Sequence, residues 1–164
     1  MIHMLLPVAP QRLAKLQRAV LNRMSGFRIV IDGVQDPGNH AAVMRTAEAL
    51  GLLDLHVIRY VRDKPQRRTS LSKSITKGGE QWLRIHFHNT AGDCLHHLRQ
   101  EGFSQILAAK PRNPQTDTAR NPVELSEVDF GKKTALIIGN EKNGVSSEMS
   151  ELCDGDFCID MHGL

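Results

Sequence analysis

Apolar residues recur along this chain at two alternating periods. Over residues 10–24, Leu13, Leu16, Val20 and Met24 follow three- and four-residue spacing while Arg12, Lys15, Arg18 and Arg23 occupy other faces. That pattern predicts an amphipathic, basic helix, closed by Gly26. FRIVIDGV (27–34) is rich in β-branched residues and predicts a buried strand. Asp36-Pro37-Gly38 is a turn, Asn39 is an N-cap candidate, and a helix follows through Leu50 to Gly51. LDLHVIRYV (53–61) predicts a second strand, and QWLRIHF (81–87) has strand character around Trp82. Thr90, with Asp93 three residues on, caps a helix running to Glu101 and Gly102. FSQILAA (103–109), the very apolar TALIIG (134–139) and DFCIDM (156–161) predict further strands, with TALIIG central. Ser146 or Ser147 caps a short helix carrying Glu148 in its first turn. Residues 62–77 read as an exposed, mobile segment and 110–122 as a loop by composition. Strands alternating with helices predict an α/β fold, a mainly parallel sheet with helices on both faces. No repeat or linker divides the chain, so residues 1–164 are expected to form a single domain.

Composition narrows the class. Apolar residues make up 40% and charged residues 24%, as in ordinary globular proteins. No apolar run is long enough to span a bilayer, and MIHMLLPVAP is a poor signal peptide, so a cytoplasmic protein with no membrane partner is expected. Cys94, Cys153 and Cys158 form no CxxC pair and read as reduced thiols. The net charge of +3 is unevenly placed: residues 1–31 carry +5 and residues 59–77 carry +6, leaving the remainder at −8. Each block alone could be a solvated face, but together they suggest a polyanionic partner.

Two segments carry the candidate chemistry. DPGNHAAVMRTAEALG (36–51) and GNEKNGVSSEM (139–149) each join an apolar run to a polar turn and a helical pattern. Turns leaving buried strands are where α/β proteins place ligands. Gly139 at a strand end would let a ligand approach the backbone, or would simply form a structural turn, and Gly144 adds a second flexible point. Arg45, among small and apolar residues, could hold a phosphate, stabilise the oxyanion of a hydroxyl, or pair structurally with Glu141. Neither GxxxxGK[ST], GxGxxG nor GxSxG is present, and the histidines form no HExxH or other metal-ligand array. His96 and His97, adjacent on one helix, point to different faces and receive no role.

Taken together, these segments resemble the SpoU/TrmH branch of the SPOUT methyltransferases over nearly the whole length. The N-terminal basic helix, the strand, and D-P-x-N followed after five residues by R-T-A are similar to the first motif of the tRNA guanosine-18 2′-O-methyltransferases. IIGNEKNGVSSEM resembles the second motif, and CIDMHG the opening of the third. The resemblance implies a C-terminal trefoil knot, a homodimer, S-adenosylmethionine as methyl donor without a metal, and tRNA as substrate. It implies Arg45 as the catalytic arginine, with Asn39 and Glu141 as its motif partners. Ala109, Gly139, Ile159 and Met161 fall where the family contacts the donor. Arg12, Arg18, Arg67 and Arg68 are the expected RNA contacts. Methylation of ribosomal RNA or of a tRNA wobble ribose, or RNA binding without catalysis, are the alternatives. Gly38 and Asp160 depart from the usual His and Pro. A chain ending at Leu164 would lack the family's Ser-Leu-Asn-Val-Ser segment and final helix, leaving the knot incomplete, with weak donor binding and little activity expected. An intact mass above 18.3 kDa would instead indicate a longer protein.

Overall fold

The computed structural model describes residues 9–59, 82–112 and 121–160. The expected segment 62–77, the tip of the 110–122 loop and the end of the 156–161 segment lie wholly or partly outside them. Elements follow in the order α1 (Pro10–Leu21), β1 (Phe27–Asp32), α2 (Pro37–Ala49), β2 (Asp54–Ile58), β3 (Arg84–His88) and α3 (Ala91–Gln100). Then come β4 (Gln105–Ala109), β5 (Val123–Glu124), a 3₁₀ turn (Leu125–Glu127), β6 (Thr134–Ile138), α4 (Ser147–Leu152) and β7 (Gly155–Cys158).

The seven strands form one sheet in the order β3-β2-β1-β6-β4-β7-β5, with every neighbouring pair parallel. β6 is central, as its unbroken apolar run predicts. A strand buried on both faces has no solvent side to alternate towards. Alternate residues divide the core. Val30, Ile106, Ala108, Ala135 and Ile137 pack under Cys94, Leu95 and Leu98 of α3 and Met149 of α4. On the opposite face Ile31, Leu55 and Val57 pack against Met44 of α2. Helices therefore cover both faces.

Several boundaries differ from expectation for identifiable reasons. Asn39 does not cap α2: Asp36 does, its carboxylate accepting from the Gly38 N–H at 2.6 Å, with Pro37 preset at the first helical position. Asn39 lies inside the first turn. Trp82 is 54% exposed and precedes β3, whose pairing starts where Arg84 meets Asp54. β7 stops at Cys158 because its last neighbour, β5, pairs only as far as that residue. The short β5 and the 3₁₀ turn carry no periodic signal. α1 buries none of its residues, so Leu13, Leu16 and Val20 mark its apolar side without a covering element among the described residues, while Met24 lies beyond the helix and bridges to Leu52. Among the described residues no helix is long and apolar enough to cross a membrane.

Candidate functional site

Because β1 and β6 are neighbours, the two motif segments leave the sheet side by side at its carboxyl edge. Three contacts bind them. The Asn39 amide donates to the Glu141 carboxylate across 102 positions of sequence. Asn140 Nδ2 donates to the Gly33 carbonyl at 3.4 Å, and the Ser146 N–H donates to the buried Asp32 carboxylate at 2.7 Å.

The second loop is self-braced. Asn140 and Gly144 exchange two backbone hydrogen bonds of 2.8 Å. The Asn140 side chain also accepts from the Lys142 and Asn143 N–H groups at 2.9 and 3.2 Å, an Asx turn. Ser146 then caps α4, accepting from the Met149 N–H at 3.3 Å. This bracing explains Gly139. A Cβ there would lie 2.1 Å from the Gly144 carbonyl carbon and from the Val145 nitrogen. The glycine is required by the chain's own returning peptide, whatever a ligand also needs.

Arg45 is exposed on α2, six residues beyond Asn39. It makes no hydrogen bond or ion pair with a described residue, so the structural pairing with Glu141 is not formed; Glu141 is taken by Asn39. An exposed guanidinium with no partner among the described residues, on the helix that Asn39 ties to the braced loop, is available to an incoming anionic or hydroxyl group. Ala109 and Gly139 end β4 and follow β6, and Ile159 follows β7, three adjacent parallel strands. Ile159 is 63% exposed and the other two are half-buried. Met161, Arg67 and Arg68 lie outside the described residues. A cleft of about 420 Å³, lined by Gln105, Lys132, Asp154 and Asp156, lies at the opposite, amino ends of β4 and β7.

The two basic blocks resolve unequally. Arg12, Lys15 and Arg18 are exposed on α1. Arg28 instead is buried, paired with Asp54 at 3.1 Å and Glu101 at 3.2 Å. Arg23 donates to the Leu52 carbonyl, and Arg59 stacks on Phe87 with 3.5 Å to the ring centroid. These three serve the fold, and charge counting along the sequence could not separate them from the solvated ones.

Sequence spacing also missed a histidine group. His56, His88 and His97 come from β2, β3 and α3 and converge beneath α3, with His86 stacked alongside. Burial, and then the charge of its histidine neighbours, pushes His56 down to about 3; burial lowers His88 as well.

Residues 26–164 match the SpoU rRNA methylase family. The chain is 30% identical over 155 residues to the tRNA (guanosine(18)-2′-O)-methyltransferase of Escherichia coli K12, an alignment covering 94% of this chain and 62% of that protein. It is also 30% identical over 157 residues to the enzyme of the same name from Aquifex aeolicus, covering 96% and 69%. The crystal structure of the A. aeolicus TrmH/SpoU tRNA modifying enzyme superposes with a TM-score of 0.75 at 28% identity, covering 94% of this chain and 72% of that one. The chain thus spans about three fifths of the E. coli relative's length.

Proposed function

Since the chain belongs to the SpoU rRNA methylase family, we propose that it forms one methyltransferase domain that methylates a tRNA ribose 2′-oxygen, at guanosine 18 in the D-loop. The observation that carries this reading is the Asn39–Glu141 hydrogen bond. It joins the two motifs at the carboxyl edge of a parallel sheet, on the helix that carries the exposed Arg45. The names of the E. coli and A. aeolicus relatives support the substrate.

S-adenosylmethionine is the methyl donor in this reading, and the chain's residues suit it. Ala109 and Gly139 are small and half-buried at the ends of adjacent strands, and exposed Ile159 offers an apolar surface for a purine. The family resemblance adds Met161 to the donor contacts. When bound, the donor supplies an electrophilic sulfonium methyl group. Arg45 would hold the ribose 2′-oxygen and stabilise the negative charge that develops there as its proton passes to water. Asn39 and Glu141, fixed to each other, keep α2 in register with the 140–144 loop and so orient Arg45 and the substrate. Arg12 and Arg18, with Arg67 and Arg68, supply phosphate contacts that set affinity. The exposed apolar side of α1 is consistent with a homodimer partner, and the family's trefoil knot belongs to the same reading.

The test is methyl transfer from labelled S-adenosylmethionine to an unmodified tRNA transcript, with the modified nucleoside mapped. Label on the D-loop guanosine ribose is expected. A ribosomal RNA fragment belongs in the same assay, because the family's description names rRNA. Label on that fragment alone would replace the tRNA assignment. Binding of tRNA with no transfer to either would mark an RNA-binding module.

A further inference from the structure

We infer that His56, His88 and His97 form a binding site for a divalent transition metal that pins the sheet edge to α3. The site lies under α3 at the β2–β3 edge, away from the β4, β6 and β7 ends assigned to the donor.

The donor set is imidazole, and zinc, copper, nickel and iron favour it. One nitrogen from each of the three residues lies within 4.8 Å of the other two. His56 Nδ1 and His88 Nε2 are 3.0 Å apart. Two nitrogens bound tetrahedrally to zinc at 2.0–2.1 Å sit about 3.3 Å apart, so the pair separates by a few tenths of an ångström while both rings tilt to aim their lone pairs at the ion. Register brings them together: His56 pairs with His86, and His88 lies two residues further along the same face of β3. The rings of His56 and His88 are nearly parallel, 6° between planes, and His97 meets both edge-on at 83–88°.

The burial of His56 favours the neutral ring, which is the form that ligates a metal. His56 is fully buried; its Nδ1 faces His88, and its Nε2, on the far side of the ring, has no hydrogen-bond partner among the described residues. An imidazole nitrogen removed from water without a partner is destabilising by about 1–3 kcal/mol, so buried polar atoms of this kind are uncommon. Two neutral imidazoles hold two protons and two lone pairs. Nδ1 of His56 and Nε2 of His88 face each other with one proton between them, so an ion bound there displaces that proton and takes both lone pairs.

The surroundings are those of a metal-binding histidine. His97 Nε2 contacts the Glu101 carboxylate at 3.3 Å. A carboxylate on the far nitrogen fixes the tautomer and raises the basicity of the nearer one, leaving Nδ1 to ligate. Asp54 contacts His86 at 2.9 Å, and Arg28 and Arg84 pair with the same carboxylate, so the local charges are balanced before any ion arrives. Asp93 at the start of α3 adds negative charge near His88. The His86 and His97 side chains are 28% and 37% exposed, which gives an ion a way in from that side. Three protein ligands leave a fourth position for water.

The experiment adds Zn²⁺ or Co²⁺ to chelator-treated, tag-free protein. One equivalent of Zn²⁺ is expected by competition against a chromogenic chelator, with a rise in Tm that EDTA reverses. Co²⁺ should give the intense visible absorption of a tetrahedral nitrogen site. His97→Ala, on the accessible side, should lose the cobalt spectrum and the Tm response while keeping the wild-type far-ultraviolet circular dichroism. His96→Ala, its exposed neighbour on α3, should keep both. Should His97→Ala misfold, His88→Gln is read by the same cobalt spectrum. Substoichiometric binding, or stoichiometric binding that His97→Ala and His88→Gln leave intact, would overturn the assignment. Neither readout uses methyl transfer, so this inference and the proposed function fail independently.

Discussion

Replacing Gly139 with alanine tests whether this glycine serves the fold or only clears space for a ligand. The added methyl would sit 2.1 Å from the Gly144 carbonyl carbon and 2.3 Å from its oxygen, where ordinary contact begins near 3.4 Å. The obstacle is backbone, so no rotamer change relieves it, and the 140–144 turn must retreat by more than an ångström. Overpacking of this kind destabilises by about 1–3 kcal/mol. Retreat also breaks the two Asn140–Gly144 hydrogen bonds, each contributing about 0.5–1.5 kcal/mol. The sum is about 2–6 kcal/mol, or a fall in Tm of roughly 5 °C or more for a domain of this size. Gly144→Ala is the internal control. Its φ of +69° is strained for alanine, but its Cβ position is open, so only about 1–2 kcal/mol is expected. Thermal unfolding by circular dichroism should rank the variants wild type, Gly144→Ala, Gly139→Ala. A Gly139→Ala protein that unfolds within a degree of wild type would refute the reasoning and leave ligand clearance as the role of the glycine.

Other expectations are quickly stated. Arg45→Ala should lower the rate of methyl transfer by roughly a hundredfold or more while leaving donor affinity nearly unchanged, because its role is confined to the developing oxyanion; unaltered turnover discards that role. Arg12→Ala with Arg18→Ala should weaken tRNA binding and flatten its dependence on salt in a filter-binding titration, and a double mutant with wild-type affinity would remove α1 from the interface. Burial pushes the Cys94 thiol up to about 12, and all three cysteines are buried; iodoacetamide at pH 8 should therefore leave Cys94 unmodified by mass spectrometry until denaturant is added. His56 is neutral when folded to about pH 3 but takes a proton near 6.5 when unfolded. Its contribution is complete above about pH 6.5 and lost as the pH falls, at up to about 1.4 kcal/mol per pH unit. Urea midpoints of metal-free protein should fall between pH 7 and pH 5, and a flat profile would contradict the buried environment.

Much of this was legible in the residues, for reasons that also mark the limits. β6 could be read as central because an unbroken apolar run has only one comfortable place in a parallel sheet. The start of α2 was misplaced because Asn39 and Asp36 are equally good caps in isolation, and Pro37 decides between them only once it is taken as the first helical residue. α1 shows that periodicity identifies an apolar face without saying what covers it. The paired motifs were visible as segments, and the Asn39–Glu141 contact follows from β1 and β6 being neighbours. Crossover order, not local pattern, sets that adjacency. The histidine group was invisible for the same reason, since positions 56, 88 and 97 meet only through strand register and the docking of α3.

The insertion of β6 between β1 and β4 also bears on how the molecule is made. Phe27 pairs with Thr134, more than a hundred residues later, so the middle seam of the sheet joins an early part of the chain to a late one. During synthesis β1 can acquire β2 on one flank, but its other flank stays bare until residue 138 has left the ribosome. Until then a strand carrying Val30 and Ile31 presents an open edge, the kind of surface that recruits chaperones or other nascent chains. Such long-range closure makes folding slow relative to a helical protein of equal length. Substitutions along the β1–β6 seam should therefore reduce soluble yield in cells more than they reduce the stability of protein that has already folded.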